Sequence, residues 1–145
     1  MSLMVLASFV VAGIGLIVAT VHLTGGSADA RLADDAAALT RFAQDFPDEH
    51  VEAILCTLDR RTAFLRLEGG RVGIVQAVGG KFLTRIVSAA VMSGAPRAEN
   101  AQVTVRFRDF TWAGGTFTFD DAEDAQEVKA MFAGLRSRAN WEQAA

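Results

Sequence analysis

Cysteine and histidine are nearly missing from this chain: Cys56 stands alone, with His22 and His50 as the only imidazoles. One thiol and two distant histidines cannot supply any Cys/His metal-ligand spacing. A lipoprotein signal is excluded as well, since it needs a cysteine at the end of the apolar amino-terminal run and Cys56 lies far downstream. Cys56 as a nucleophile would want His50 as its base, but six residues along an extended strand separate them by about 20 Å. The thiol shares its strand face with Ile54 and Leu58, which predicts a buried, inert cysteine. No Gly-Lys-Ser/Thr occurs, and Gly69-Gly70 and Gly79-Gly80 lie between strands with no helix following, so they read as turns rather than phosphate loops. The expectation is a protein that is not an enzyme and holds no cofactor and no metal.

Charge is absent from one long stretch. Leu3 to Leu23, LMVLASFVVAGIGLIVATVHL, has no Lys, Arg, Asp or Glu. As a helix it would be about 31 Å long, enough for a hydrocarbon core of roughly 30 Å. A cleaved signal peptide is the rival, with Ala28-Asp29-Ala30 as a small-x-small site. The run exceeds the usual apolar region of about 7–15 residues and Met1-Ser2 carries no basic charge, which favours a retained anchor. Within it Ser8, Ala12, Gly15 and Ala19 fall on one helical face. Such a small-residue stripe is either a contact for another span or a by-product of Gly- and Ala-rich composition. His22 reads as an interfacial residue. Arg31 and Arg41 on the carboxyl flank place the remaining domain on the cytoplasmic side of a bacterial inner membrane.

Beyond the span, charge is unevenly spread. Residues 29–58 hold 2 basic and 7 acidic side chains, residues 59–108 hold 9 and 3, and residues 109–145 hold 3 and 7, which sums to the net −3. Two readings of this basic middle stand. Acidic flanking helices neutralise a basic sheet, or the sheet faces phosphate head groups or an acidic partner. Nucleic acid is excluded by the negative total and by the lack of interleaved basic and aromatic residues.

The pattern along the chain is α then β then α. Thr24-Gly25-Gly26-Ser27 is a linker to residue 29. Leu32, Ala36, Leu39, Phe42, Ala43 and Phe46 at helical spacing predict an amphipathic helix over residues 30–46, docked on protein because its polar face is acidic, and Pro47 stops it. Alternation then predicts strands over residues 50–58, 62–68, 71–78 and 81–87 joined by hairpins, with Ala63, Leu65 and Leu67 on one face. Residues 87–100 are ambiguous. Val103, Val105 and Phe107, then Phe117 and Phe119, predict a second hairpin across a Trp112-Ala113-Gly114-Gly115 turn. Asp120-Asp121 caps a closing helix with Ala125, Val128, Met131, Phe132 and Leu135 inside and Arg136 and Arg138 in its last turn, ahead of a frayed tail over residues 139–145.

That order of elements, and FTFDDAEDAQEVKAMFAGL above all, resembles the pleckstrin-homology-like superfold, including its bacterial members. The resemblance covers residues 47–138 and implies an α+β fold: a six- to seven-stranded antiparallel sheet or barrel closed by the carboxyl-terminal helix. Arg far outnumbers Lys and Ala is abundant, as in small single-span proteins of alphaproteobacteria. Lipid-binding members of the superfold carry a basic residue late in the first strand and a basic-x-Arg group in the second. Here Arg60 and Arg61 occupy the first turn and Arg66 sits in the second strand, while Cys56-Thr57-Leu58 stands where the first basic residue belongs; with Lys81 and Arg85 these form a candidate basic patch for an anionic lipid. The expected function is a membrane-anchored binding or scaffold module in a larger membrane assembly, with a membrane-protein partner; the alternative is recognition of anionic lipid head groups.

Overall fold

The computed structural model of the chain describes residues 2–23 and 29–144. The predicted linker residues 24–27 and Ala28 of the candidate cleavage site lie outside the described residues. The protein is α+β: an apolar helix, a short amphipathic helix, seven antiparallel strands in two sheets, and a closing helix.

Helix α1, Leu3–Leu23, is 21 residues long with no buried side chain. The Ser8 and Thr20 hydroxyls donate to the carbonyls of Met4 and Leu16 at 2.8 and 2.7 Å. Its two hydroxyl side chains thus find partners on the helix's own backbone.

Helix α2, Asp35–Asp45, begins five residues later than the pattern suggested. Asp34 is its N-cap, its carboxylate accepting from the Ala37 N–H at 2.7 Å. The preceding residues are neither helix nor strand, and Leu32 is a buried plug rather than a helix residue. The buried stripe is accordingly Ala38 and Phe42, with Phe46 beside it, whereas Ala36, Leu39 and Ala43 are exposed.

Strands β1 (Val51–Cys56), β2 (Thr62–Leu67), β3 (Val72–Val78) and β4 (Lys81–Val87) form a meander in sequence order. The outer face of this sheet carries Ala63, Leu65, Leu67 and Val75 with Ile54, Cys56, Phe82 and Ile86, and α2 lies on it. Gly73 makes that docking fit: a Cβ there would meet the Phe42 ring at 2.7 Å. A bulge between Val51 and Ala53 lets Val51 and Ile54, three residues apart, pack on the same side. Leu58, expected inside with them, lies in the β1–β2 turn and is exposed.

Strands β5 (Arg97–Glu99), β6 (Gln102–Arg106) and β7 (Gly114–Thr118) form the second sheet. Its inner face is Val103, Val105 and, beyond the strand, Phe107 and Phe119, while Gln102 and Thr118 face water. The ambiguous stretch resolves into a single 3-10 turn, Ala89–Val91, then Pro96 and the short β5. The expected turn glycines are in fact strand residues: Gly114 opens β7 at φ +83°, where a Cβ would strike the Val105 carbonyl.

The two sheets do not close into a barrel. They meet through the Leu58 N–H donating to the Thr118 carbonyl at 2.8 Å and through a bridge between Met92 and Phe107. Helix α3, Ala122–Ala144, fills the remaining side with Ala125, Val128, Met131, Phe132 and Leu135. Asp121 caps it, accepting from the Asp124 N–H at 2.9 Å. It runs 23 residues, so residues 139–144 are helical rather than frayed and Arg136 and Arg138 lie in mid-helix, not in the last turn. Phe64 sits at the centre, its ring 5.0, 5.9 and 5.7 Å from those of Phe117, Phe119 and Phe132.

Candidate functional site

Strand pairing decides where the five expected basic residues lie. The inner face of the first sheet has one row through Leu55, Phe64, Ile74 and Arg85 and the next through Ala53, Arg66, Val72 and Val87. Arg66 and Arg85 therefore stand on the core side. Arg60 and Arg61 are in the β1–β2 turn, Arg60 at φ +59°, and Lys81 opens β4. In an antiparallel meander those two turns are at one end of the sheet. The chain arriving from α1 crosses this end: the Ala30 N–H donates to the Gly79 carbonyl at 2.8 Å and the Leu32 N–H to the Arg60 carbonyl at 2.7 Å.

Each of the four arginines is held by a carboxylate. Arg60 is 3.8 Å from Asp35, and Arg61 is 3.0 Å from Asp29. Arg66 reaches Glu52 on β1 at 3.6 Å and Glu127 on α3 at 3.2 Å. Arg85 bonds Asp109 at 2.8 Å and lies 5.2 Å over the Trp112 ring, which itself stacks on Phe107 at 4.9 Å. Arg71 follows the same rule with Glu49 at 2.7 Å. Every partner comes from residues 29–58 or 109–145, so for these five arginines the acidic flanks supply the counter-charge, as the first of the two charge readings has it. Singly, such half-exposed pairs contribute about 0–1 kcal/mol; together they join α2, the turns and α3 to the first sheet. Lys81 makes no ion pair among the described residues.

Asp109 is the most perturbed of these carboxyls. The Thr111 hydroxyl and backbone N–H, with Arg85 behind them, hold it down at about 2. Cys56 moves the other way: burial first, then its hydrogen bond to Asp35 at 3.2 Å, pushes the thiol up to about 12. It is protonated at neutral pH and a weak nucleophile. Among the described residues no three His, Cys, Asp or Glu side chains gather as metal ligands would.

On α1, Ser8, Ala12, Gly15 and Ala19 are all exposed, and Gly13 and Gly15 have nothing within 4 Å of a built Cβ. The sequence reading missed two clefts. One of about 500 Å³ runs along the outward face of the second sheet by Ser93, Arg97, Glu99, Thr104 and Arg106. Another of about 620 Å³ lies between residues 88–92, Arg108 and the second half of α3. Arg106, alternating with the buried Val105 and Phe107, carried the signal for a basic outward face on β6, whereas Arg108 lies beyond the strand and lines the other cleft.

Compared with protein-family models, curated proteins and solved structures, the chain matches none. Its class is therefore what the geometry defines: an α+β domain of two antiparallel sheets, preceded by one helix long and apolar enough to cross a membrane.

Proposed function

We propose that this protein is a membrane-anchored, non-enzymatic binding or scaffold module, an accessory component of a larger membrane assembly. The observation that carries the reading is α1: a 21-residue, predominantly apolar helix without Lys, Arg, Asp or Glu, none of it buried against the rest of the chain, ahead of a domain that completes its own core. A helix with no protein cover needs lipid or another span. The stripe Ser8, Ala12, Gly15 and Ala19 is the contact proposed for a partner span. The pleckstrin-homology-like assignment is supported by a four-stranded and a three-stranded sheet with a carboxyl-terminal helix against them, an arrangement in which many domains bind proteins or serve as scaffolds. A bacterial inner membrane with the domain in the cytoplasm is the compartment proposed, from Arg31 and Arg41 on the carboxyl flank. In-cell cross-linking followed by purification in mild detergent tests the reading. Recovery of a discrete membrane-protein partner, lost on Gly15→Leu, is expected, and a lone monomer would contradict it.

A second reading, anionic-lipid recognition, is favoured for Arg60, Arg61 and Lys81 by their place where the chain arrives from α1. It requires Arg60 and Arg61 to exchange carboxylate partners for head groups. Flotation of residues 30–145 on anionic vesicles tests it, binding that survives charge reversal at Arg60 and Arg61 excluding that patch.

A further inference from the structure

Once the ion pairs are assigned, Lys81 is the one basic side chain of the expected patch without a carboxylate among the described residues, and the other unpaired ones lie elsewhere. Of the nine basic residues in 59–108, Arg60, Arg61, Arg66, Arg71 and Arg85 have carboxylates. Arg97, Arg106 and Arg108 make no ion pair among the described residues; Arg97 and Arg106 project from the second sheet on the side opposite Ala98 and Val105, and Arg108 lies in the bend that follows β6. Arg108 borders the cleft of about 620 Å³ together with Arg136, which also has no carboxylate partner among the described residues. Ser88 and Asn140 add hydrogen-bonding groups to the same walls, and Glu142 is the single carboxylate there.

Two guanidinium groups on separate elements suit an oxyanion. Their donors are planar and permanently charged, and the charge is not consumed internally. The cleft is also remote from the point where the chain comes in from α1. That point is the end of the first sheet with the β1–β2 and β3–β4 turns. Arg138, two residues after Arg136 on α3, lies over Gly70 in the β2–β3 turn, at the other end of that sheet.

We propose that the cleft lined by Ser88, Arg108, Arg136 and Asn140 is a binding site for a multiply charged oxyanion, phosphate or carboxylate in chemistry, taken from the aqueous phase rather than from the bilayer. Arg108 and Arg136 clamp the anion from two sides, Ser88 and Asn140 orient it, and Glu142 repels ligands too large to avoid the helix end. The oxyanion site itself is independent of α1; only its aqueous source rests on the membrane reading.

The test uses the full chain in neutral-lipid nanodiscs or, should it not insert, in buffer. Inorganic pyrophosphate and citrate are titrated at constant ionic strength by calorimetry. Saturable binding of at least one probe is expected. Arg108→Gln and Arg136→Gln should each weaken it tenfold or more, about 1.4 kcal/mol. Arg108→Lys should restore part of it, and Arg60→Gln with Arg61→Gln should leave it unchanged. Circular dichroism of each variant checks that it is folded. No saturable binding, or equal binding by folded R108Q and R136Q, overturns the site. Nanodiscs containing phosphatidylserine supply the second arm. Unchanged pyrophosphate affinity supports an aqueous ligand, and competition by the anionic lipid overturns that source.

Discussion

Replacing Phe64 by Ala probes whether the two sheets and α3 share one core. Phe64 is fully buried and touches the rings of Phe117 and Phe119 from the second sheet and Phe132 from α3. Phe→Ala at such a site costs about 3–5 kcal/mol, a large part of the 5–15 kcal/mol available to a domain. For a domain of this size, about 4 °C per kcal/mol gives a loss of roughly 12–20 °C in Tm. Phe110→Ala is the matched control, because Phe110 is fully exposed and the same atoms are removed at a cost within about 0.5 kcal/mol. The assay is thermal unfolding of the full chain in one detergent, followed by fluorescence of Trp112, which stacks on Phe107. Phe64→Leu, which keeps bulk and loses the ring contacts, should fall between the two. Equal Tm losses for F64A and F110A would refute a shared core centred on Phe64.

Four further outcomes follow from named contacts. Gly73→Ala should destabilise by about 1–3 kcal/mol through overpacking against Phe42, and adding Phe42→Leu should recover part of it in a double-mutant cycle, additive losses arguing against the contact. Cys56 should react with iodoacetamide at pH 8 roughly a thousandfold more slowly than an ordinary thiol, as its thiolate fraction falls with the rise from 9.0 to about 12. Asp35→Asn should speed that reaction yet leave it slow, because burial is the larger cause; a rate equal to that in guanidinium would contradict the burial. Asp109 is depressed in the folded state, so its contribution is in place above the ordinary carboxyl range near pH 4 and is lost as pH falls toward about 2. The Tm gap between wild type and Asp109→Asn should thus be constant from pH 5 to 8 and close toward pH 2, and a gap that widens on acidification would reverse the sign argued here.

Local pattern carried most of the strand assignments. Ala63, Leu65 and Leu67 lie together under α2, and Val103, Val105 and Phe107 line the inner side of the second sheet, because period-two alternation needs no knowledge of the partner. Leu32 at four-residue spacing to Ala36 imitates a helix, although it plugs the core from an irregular segment ahead of α2. Asp34 as N-cap was the better signal. The expected patch drew Arg66 and Arg85 together by charge alone. Their parity with Phe64 and Ile74 puts them on the inner face, and their carboxylates lie 14 to 61 residues away, beyond any local pattern. Trp112 looked like a turn residue for the same reason: the ring it covers, Phe107, and the Arg85 guanidinium it carries are brought to it by tertiary packing.

The central claim is that α1 is a retained anchor. Alkaline carbonate extraction of membranes from cells producing the full chain, followed by intact-mass measurement, tests it most directly. The account predicts a membrane-pellet protein whose mass includes Leu3–Leu23. A carbonate-soluble chain beginning after Ala30 would identify α1 as a removed leader and contradict the account.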